Sequence, residues 1–331
     1  MLVLKILHPK NALRIIAIGL SIFILSSCNK DEEIIEDTPI QPYFSNHPLP
    51  QNPDTLRILA IGNSYTWDGT AYIQEILGCT NIDPNRYCLY ILTQGNSSLD
   101  FWSNQLIKHE QYTMRRMAGN VNMLQIGSVK ELLSQDWDII VMQQFSKYAT
   151  EYKTYNPYLH QLIDAIIEYC TNKDASIVWQ MIHGYSKNYS GNGKYKGDKR
   201  WNRIAHVTQT MAKKDGIDII IPTGTAIQIA RHSALETPYD LTRDGTHLCY
   251  GIGRYIAACT WIETIFKPTF GISIEGNTTN HAITEVENND SEKNYIKTSA
   301  VAVTDSNREL CQQCALQACN NPYSLQLDVG Q

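Results

Sequence analysis

The sequence predicts an α/β domain built on a mostly parallel, five-stranded sheet with helices on both of its faces. From Leu56 onward, short apolar runs alternate with amphipathic stretches, which is typical of repeated strand–helix units. Strands that are separated by helices favour parallel pairing, and such sheets are buried on both faces. The length of 331 residues, of which 43% are apolar and 18% charged, allows one sizeable core with appendages.

Apolar runs of five to seven residues are the candidate strands, and they are Arg57–Ile61, Tyr87–Leu92, Asp138–Met142, Ser176–Ile182 and Ile217–Ile221. Stretches with apolar residues three or four positions apart are the candidate helices, and they include Ala71–Leu77, Val129–Ser134, Tyr158–Thr171, Trp201–Lys214, Thr225–His232 and Ile252–Phe266. Ligands of parallel sheets collect at the carboxyl ends of the strands. Side chains that follow the first strand are therefore candidates for a functional site.

Residues 1–27 have the pattern of an export signal. Three basic residues precede an apolar core over residues 15–25 and a small-residue site that ends at Cys28, a pattern that resembles a bacterial lipoprotein signal peptide. A transmembrane anchor is the alternative, but the uncharged run between Arg14 and Lys30 has 15 residues, short of the ~20 that span a bilayer. We expect cleavage before Cys28, lipidation of Cys28, and a place in the cell envelope as an outer-membrane lipoprotein, periplasmic or surface-facing.

Composition divides the rest of the chain into three segments. Residues 28–54 are rich in proline and acidic side chains and are predicted to be a tether, residues 55–270 form the α/β domain, and residues 271–331 are a polar tail or a small cysteine-containing appendage. Loss of the signal removes three basic residues and changes the net charge from −5 to −8. No basic stripe remains that could hold phosphates, so nucleic acid is not an expected partner.

Eight cysteines follow Cys28, and their spacing does not fix their pairing. Cys79 and Cys88 flank a short polar loop and are the first candidates for a disulfide. Cys249 and Cys259 lie ten residues apart in a helical pattern, too far for a bond along one helix, so we expect core thiols. The cluster at positions 311, 314 and 319 has neither a fourth ligand nor a nearby histidine, which favours a local disulfide over a structural zinc site.

Two short motifs far apart in the sequence carry the functional signal. Ser64 follows Gly62-Asn63 at the end of the first strand, and His247 lies three residues after Asp244 on the loop that enters the last long helix. A serine at a helix start is most often a cap for free backbone N–H groups. Combined with aspartate and histidine it can instead be a nucleophile, because the imidazole removes the serine proton and the carboxylate stabilises the imidazolium. The motifs therefore predict a hydrolase with a serine nucleophile.

With these motifs the chain resembles the SGNH/GDSL hydrolase family. The first family block, an apolar strand followed by Gly-Asp-Ser, corresponds to Ile61-Gly62-Asn63-Ser64, and the last block, Asp-x-x-His, to Asp244-Gly245-Thr246-His247. The glycine of the second block corresponds to Gly95. The third block, Gly-x-Asn-Asp, is altered, because Gln143-Gln144 stands there and no asparagine. This variant is similar to a branch of SGNH-like lipoproteins with a glutamine-containing third block, and the resemblance covers roughly residues 56–268.

The resemblance implies a three-layer α/β/α, flavodoxin-like domain with its catalytic residues on loops at one edge of the sheet. It implies Ser64 as the nucleophile and Asp244 and His247 as its partners, with neither metal nor cofactor. The oxyanion of the tetrahedral intermediate would be held by the backbone N–H groups of Ser64 and Gly95 and by a side-chain amide. We expect Gln144 to supply that amide; the alternative is that both glutamines of the third block only complete a strand.

Other residues near the strand ends are weaker candidates. His183 could face the site, although a histidine at a strand end is more often structural. Tyr65, Trp67 and Trp179 are candidates for a sugar-binding face, because flat rings pack against pyranose rings, although aromatic residues in such places usually belong to the core. The loop over residues 185–201, rich in Gly, Asn, Lys and Tyr, either covers the site or is an ordinary surface excursion.

Three functions fit these features. An extracytoplasmic serine esterase that removes acyl groups, chiefly acetyl groups, from a carbohydrate fits best, because a tethered envelope enzyme with a polar, loop-built site suits glycans better than lipids. An acyltransferase on envelope polysaccharide would need the same triad and the exclusion of water. A non-catalytic glycan-binding lipoprotein would explain the altered third block but not the intact serine, aspartate and histidine. The expected partners are an acylated carbohydrate and, through the lipid on Cys28, the membrane.

Overall fold

The described residues form one sheet of seven strands. The computed structural model describes residues 41–325 except residues 119, 236, 238–239 and 295–298. In chain order the strands are β1 (Leu56–Gly62), β2 (Tyr87–Thr93), β3 (Tyr112–Ala118), β4 (Asn120–Ile126), β5 (Ile139–Met142), β6 (Ser176–Gln180) and β7 (Ile219–Ile221). Across the sheet their order is β4-β3-β2-β1-β5-β6-β7. The predicted signal peptide and the lipidation site Cys28 lie outside the described residues.

The sheet is parallel except at one edge. β1 pairs in parallel with β2 and β5, and β6 pairs in parallel with β5 and β7, whereas β3 is antiparallel to both β2 and β4. The prediction of an α/β fold with a mostly parallel sheet is therefore confirmed. The predicted number of five strands is wrong, because β3 and β4 add a hairpin. Arginine and asparagine side chains interrupt the apolar residues of this hairpin, and an edge hairpin does not need the continuous apolar run of a strand buried on both faces.

Helices cover both faces of the sheet. In chain order they are α1 (Ser64–Thr70), α2 (Ile73–Leu77), α3 (Leu99–Gln105), α4 (Val129–Leu133), α5 (Tyr158–Tyr169), α6 (Gly197–Asp215), α7 (Thr223–Arg231), α8 (Ile252–Trp261), α9 (Lys267–Phe270), α10 (Glu285–Asn294) and α11 (Arg308–Asn320). A π-helical turn, Ile262–Phe266, joins α8 to α9. None of the helices within the described ranges has the length and apolar character that a bilayer span requires.

Two hydrophobic cores fill the spaces between the sheet and its helices. The first lies beneath α2, α7, α8 and α11, and the second lies beneath α3, α4, α5 and α6. The side chains of β1 alternate between them: Ile58 and Ala60 belong to the first core, and Leu59 and Ile61 to the second. Full burial of each such leucine or isoleucine contributes about 1.5–3 kcal/mol. This double burial is why residues 58–61 of β1 form an uninterrupted apolar run, and it gives the expected three layers.

The second half of the predicted tether packs against the domain. The backbone N–H of Tyr43 donates to the carbonyl of Lys214 (2.9 Å). The side chain of Asn46 donates to the carbonyl of Ile177 (2.8 Å) and accepts from its N–H (2.9 Å). A free tether over residues 28–54 is therefore wrong for the part from residue 41 onward, because its polar groups are fixed by bonds that the proline-rich composition does not indicate.

The segment after residue 270 is part of the domain. Helix α11 packs on α7 and α8, and the thiol of Cys311 is fully buried in the first core. His281 stacks on Tyr72, with 3.9 Å between the ring centroids, and forms an ion pair with Glu287 at 3.1 Å. The prediction of a polar tail or small appendage over residues 271–331 is therefore corrected, because the polar residues pair with the domain while the apolar face of α11 completes its core.

The structure describes the eight cysteines after Cys28 as free thiols. Cys79 is exposed whereas Cys88 is buried, so the predicted bond between them is wrong. The three cysteines of α11 are not bonded to one another either, and burial raises the pKa of Cys319 to about 12. Cys249 and Cys259 are fully buried, as expected of core thiols.

Candidate active site

Ser64 is the first residue of α1, directly after the turn that ends β1. Asn63 caps this helix, because its side-chain oxygen accepts from the N–H of Tyr65 (3.0 Å). A Cβ atom on Gly62 would lie 2.2 Å from Oγ1 of Thr66, so a glycine is required before the cap. The alternative that Ser64 is itself the cap is wrong, and its hydroxyl is available for other bonds at the carboxyl edge of the sheet.

The carboxylate of Asp244 organises the second motif. Its Oδ1 accepts from the N–H of Thr246 (2.8 Å), from the Thr246 hydroxyl (2.8 Å) and from the N–H of His247 (2.7 Å). Gly245 has a φ of 87°, a conformation that favours glycine, and a Cβ there would lie 2.9 Å from the ring of Tyr189. The backbone therefore closes around Asp244 and turns the imidazole of His247 toward its second carboxylate oxygen.

Ser64, His247 and Asp244 form a continuous hydrogen-bonded chain. The hydroxyl of Ser64 donates to Nε2 of His247 (2.8 Å), and Nδ1 of His247 donates to Oδ2 of Asp244 (2.6 Å). All three side chains are partly exposed. In this arrangement an imidazole can remove the proton of a serine hydroxyl while a carboxylate fixes its tautomer.

Electrostatics keep the carboxylate of this chain ionised. Burial alone would raise the pKa of Asp244, but the hydrogen bonds and the charge of His247, together with the backbone bond from Thr246, lower it well below its usual range. Asp244 is therefore a hydrogen-bond acceptor at every pH at which the protein is expected to work.

Asp68 joins the two motifs from within the protein. Its buried carboxylate accepts from Arg243 (2.9 Å and 3.1 Å), from Arg254 (2.7 Å and 3.0 Å) and from the N–H of Leu248 (3.0 Å). Burial by itself would raise the pKa of Asp68, but the two guanidinium groups lower it. Arg243 and Leu248 flank the Asp-Gly-Thr-His loop on its two sides, so Asp68 fastens both ends of that loop to the helix that begins with Ser64.

His183 supports the same loop from beneath. Its side chain is 2% exposed, stacks on Tyr65 with 4.5 Å between the ring centroids, and donates from Nε2 to the carbonyl of Thr246 (2.6 Å). Burial and the nearby Arg231 lower the pKa of His183 to about 3. His183 is therefore neutral, and it holds the loop in place as a hydrogen-bond donor.

The two glutamines of the third block brace backbone segments. Oε1 of Gln144 accepts from the N–H of Phe145 (2.8 Å), and its Nε2 donates to the carbonyl of Thr154 (3.0 Å). With its amide oriented to suit its neighbours, Gln143 accepts from the N–H of Asn63 (3.1 Å). The prediction that Gln144 donates to an oxyanion is corrected, because its amide is already bonded to the loop that follows β5.

Gly95 lies in an exposed turn beside the nucleophile turn. The N–H of Gln94 donates to the carbonyl of Gly62 (3.2 Å), and Nδ2 of Asn63 donates to the carbonyl of Ser97 (2.9 Å). No described atom beyond its chain neighbours lies within 4 Å of the position that a Cβ of Gly95 would take. Both ends of this turn are therefore fastened to the nucleophile turn, while its middle faces open space.

Of the aromatic residues considered for a sugar-binding face, Trp67 alone reaches the surface. Tyr65 and Trp179 are 4% and 1% exposed and belong to the second core. Trp67 is partly exposed and lies one helical turn after Ser64. Its ring therefore stands beside the nucleophile, where a bound molecule can reach it.

The first part of the loop over residues 185–201 covers the Asp-Gly-Thr-His loop, and its second part begins α6. The N–H of Ser186 donates to the carbonyl of Gly245 (2.8 Å), and its hydroxyl donates to Asp240 (2.9 Å). These bonds fix the start of the loop directly over the second motif.

Sequence reasoning missed the ion cluster around Asp68. Asp68 lies four residues after Ser64, and Arg243 is adjacent to Asp244, so a signal was present in the spacing. Residues four apart share one face of a helix. This spacing therefore places Asp68 on the same face as Ser64 only if a helix is known to begin at Ser64. Arg254, the third residue of α8, carries no comparable signal.

The family model described as "Domain of unknown function (DUF4886)" matches residues 57–307. The crystal structure of a DUF4886 family protein from Bacteroides uniformis aligns with a TM-score of 0.67 at 24% identity, over 83% of this chain and 98% of that chain. A proposed SGNH hydrolase from Slackia heliotrinireducens aligns with a TM-score of 0.44 at 19% identity, over 63% and 98% of the two chains. A catalytic variant of Axe2, an acetylxylan esterase from Geobacillus stearothermophilus, aligns with a TM-score of 0.40 at 13% identity, over 65% and 96%. No curated protein is significantly similar in sequence.

The matched range contains both motifs, all seven strands apart from the first residue of β1, and residues 271–307 of the C-terminal segment, whereas α11 lies beyond it. The Bacteroides uniformis structure shows that the fold is shared over nearly all of that protein. The chain therefore belongs to the DUF4886 family.

Proposed function

We propose that the protein is an extracytoplasmic serine esterase of the SGNH type, which removes acyl groups, chiefly acetyl groups, from a carbohydrate. The observation that carries this proposal is the chain of hydrogen bonds from Ser64 through His247 to Asp244, at 2.8 Å and 2.6 Å. A protein that only binds glycans does not need the buried ion pairs of Asp68, which hold the two motifs at a fixed distance from each other. The geometry therefore supports catalysis better than binding alone.

In the proposed mechanism, Oγ of Ser64 attacks the acyl carbonyl carbon while Nε2 of His247 takes the hydroxyl proton. The imidazolium, stabilised by Asp244, then gives this proton to the sugar oxygen as the bond between that oxygen and the acyl carbon breaks. A water molecule attacks the acyl-serine in the same way, with His247 again as the base, and releases the carboxylic acid. The protein ends each cycle with its protons where they began.

The oxyanion of the tetrahedral intermediate is assigned to backbone donors. The N–H of Ser64 and the N–H of Gly95 are the proposed pair, because the turn that carries Gly95 is fastened next to the nucleophile and opens toward solvent. The amide of Gln144 takes no part, since it is bonded elsewhere. Removal of one oxyanion donor typically lowers kcat by ~10²–10³-fold. Two backbone donors therefore account for part of the rate enhancement.

The open surroundings of Ser64 favour a bulky polar substrate. Ser64 and Trp67 are partly exposed, and the turn around Gly95 is exposed. Apolar substrates are better held in deep cavities that bury most of their surface. A short acyl group on a large glycan fits this shallow site, because only the ester has to reach the nucleophile.

Acetate release from acetylated polysaccharides tests the proposal. The purified chain should release acetate from at least one polymer and p-nitrophenol from p-nitrophenyl acetate, and the same polymer after alkaline deacetylation is the matched control. Acetyl groups that appear on an added sugar acceptor in place of free acetate would instead identify an acyltransferase. A preparation that is folded yet hydrolyses neither the polymers nor p-nitrophenyl acetate would contradict the proposed function.

We further propose that Cys28 is lipidated and anchors the protein in the cell envelope. Two acyl chains attached to one site are enough to hold a protein stably in a membrane. Cys28→Ala should abolish incorporation of labelled palmitate and move the protein from the membrane fraction to the soluble fraction. Cys79→Ala, a change of an exposed cysteine, is the control and should alter neither. Membrane attachment that survives in Cys28→Ala would show that another part of the chain is the anchor.

A further inference from the structure

Arg115 lies on β3 close to the nucleophile. It pairs in register with Ile91 of β2, two residues before that strand ends, which places it near the carboxyl edge of the sheet. Arg115 is two residues from Met117, whose side chain belongs to the first core, so the two side chains share this face of the sheet. Its guanidinium carbon lies 4.9 Å from the ring centroid of Trp67.

Within the described ranges, no acceptor is hydrogen-bonded to the guanidinium of Arg115 and no carboxylate pairs with it. The other arginines nearby are bonded: Arg116 donates to the hydroxyl of Tyr90 (3.3 Å), and Arg243 and Arg254 share Asp68. Arg115 is partly buried, so its charge has lost part of its hydration without gaining a counter-charge, which is unfavourable until an anion binds.

The charge balance around this point is positive. Two guanidinium groups face the single carboxylate of Asp68, and Arg115 adds a further positive charge. Burial lowers the pKa of Arg115, and the charge of Arg254 lowers it further, yet a guanidinium stays protonated in proteins. The whole chain has a net charge of −5, so an acidic polymer gains no general attraction from this protein and has to be bound by a local positive group.

We propose that Arg115, held by Trp67, binds a carboxylate group of the substrate, and that the substrate is therefore an acylated polysaccharide that contains uronic acid. A guanidinium stacked on an aromatic ring keeps its fork of N–H groups free in the plane, where it matches a carboxylate with two parallel bonds. Neighbouring side chains on a helix lie about 5–6 Å apart, which places the Arg115 guanidinium on the order of 10 Å from Ser64, within reach of the sugar next to the acylated one. The inference rests on the proposed function, whose site it extends.

A pair of polymers that differ only in charge tests this inference. Acetylated polygalacturonate and its methyl-esterified form carry the same sugars and acetyl groups, so the ratio of their kcat/KM values for acetate release measures recognition of the carboxylate. The wild-type chain should prefer the acidic polymer by about tenfold or more, and the preference should fall with added salt. Arg115→Gln should bring the ratio close to one. Arg116→Gln, on the other face of the same strand, should keep the wild-type ratio.

A binding measurement separates this inference from the proposed function. In the Ser64→Ala chain, calorimetry should show an oligogalacturonate binding, with a loss of about tenfold in affinity or more in Ser64→Ala/Arg115→Gln. Binding that depends on Arg115 without any acetate release by the wild-type chain would support the subsite and contradict the esterase. Acetate release with equal kcat/KM for the two polymers, or a ratio that Arg115→Gln leaves unchanged, would overturn the subsite and leave the esterase standing.

Discussion

Ser64→Ala is expected to lower kcat for p-nitrophenyl acetate by about 10⁴–10⁶-fold. The change removes the atom that attacks the acyl carbon, and water in its place has no activated hydroxyl held against Nε2 of His247. The fold should be unaffected, because Asn63 and not Ser64 caps α1. The thermal unfolding temperature of the variant should therefore stay within a few degrees of that of the wild-type chain, as measured by calorimetry.

The matched control for this change is Ser134→Ala. Ser134 is an exposed serine at the end of α4, and its hydroxyl donates to the carbonyl of Lys130 (2.9 Å). Its loss should leave kcat unchanged. Wild-type turnover in Ser64→Ala would remove Ser64 from the mechanism, and a loss of activity accompanied by unfolding would show that the serine has a structural role at the helix start.

Asp244→Asn is expected to lower kcat by about 10⁴-fold, because it changes the protonation of the imidazole. Oδ1 of Asp244 accepts two backbone N–H groups, so the amide oxygen of asparagine has to take that position. The amide NH₂ group then faces Nδ1 of His247, which can only accept from it. The proton of the imidazole is forced onto Nε2, where it points at Ser64 and cannot receive the serine proton.

The difference in stability between the wild-type chain and this variant should depend on pH in a defined direction. Because hydrogen bonds lower the pKa of Asp244 in the folded protein, its carboxylate stabilises the fold above the unfolded-state pKa of ~3.9, and this contribution is lost as the pH falls. The unfolding temperatures of the wild-type chain and the variant should therefore differ near pH 7 and converge toward acid. Asp174→Asn, at a position 92% exposed, is the control. A variant with near wild-type kcat would show that His247 needs no carboxylate.

The local patterns of the sequence predict those strands and helices whose burial is visible in their own apolar pattern. Each parallel strand is buried on both faces, so β1, β2, β5, β6 and β7 are apolar runs that can be recognised without their neighbours. The hairpin β3–β4 was missed for the same reason, because an edge pair needs only one covered face and can hold Arg115 and Arg116 among its apolar residues. The polar C-terminal segment was misjudged because the buried face of α11 consists of small side chains, namely cysteine and alanine, together with Gln312, and it stands among polar residues in the sequence.

The sequence by itself determined which chemical groups are present and on which loops: a serine after the first strand, and an aspartate three residues before a histidine on the loop that precedes α8. Tertiary structure alone decided which of those groups are free to act. In the folded chain the amide of Gln144 is hydrogen-bonded to Thr154, and His183 is hydrogen-bonded to the carbonyl of Thr246. Asp68 forms ion pairs with two arginines from distant segments. The physical reason is that each polar side chain can form only a few hydrogen bonds. Its nearest partner in space is determined by how the helices and the sheet pack together, not by its position along the chain.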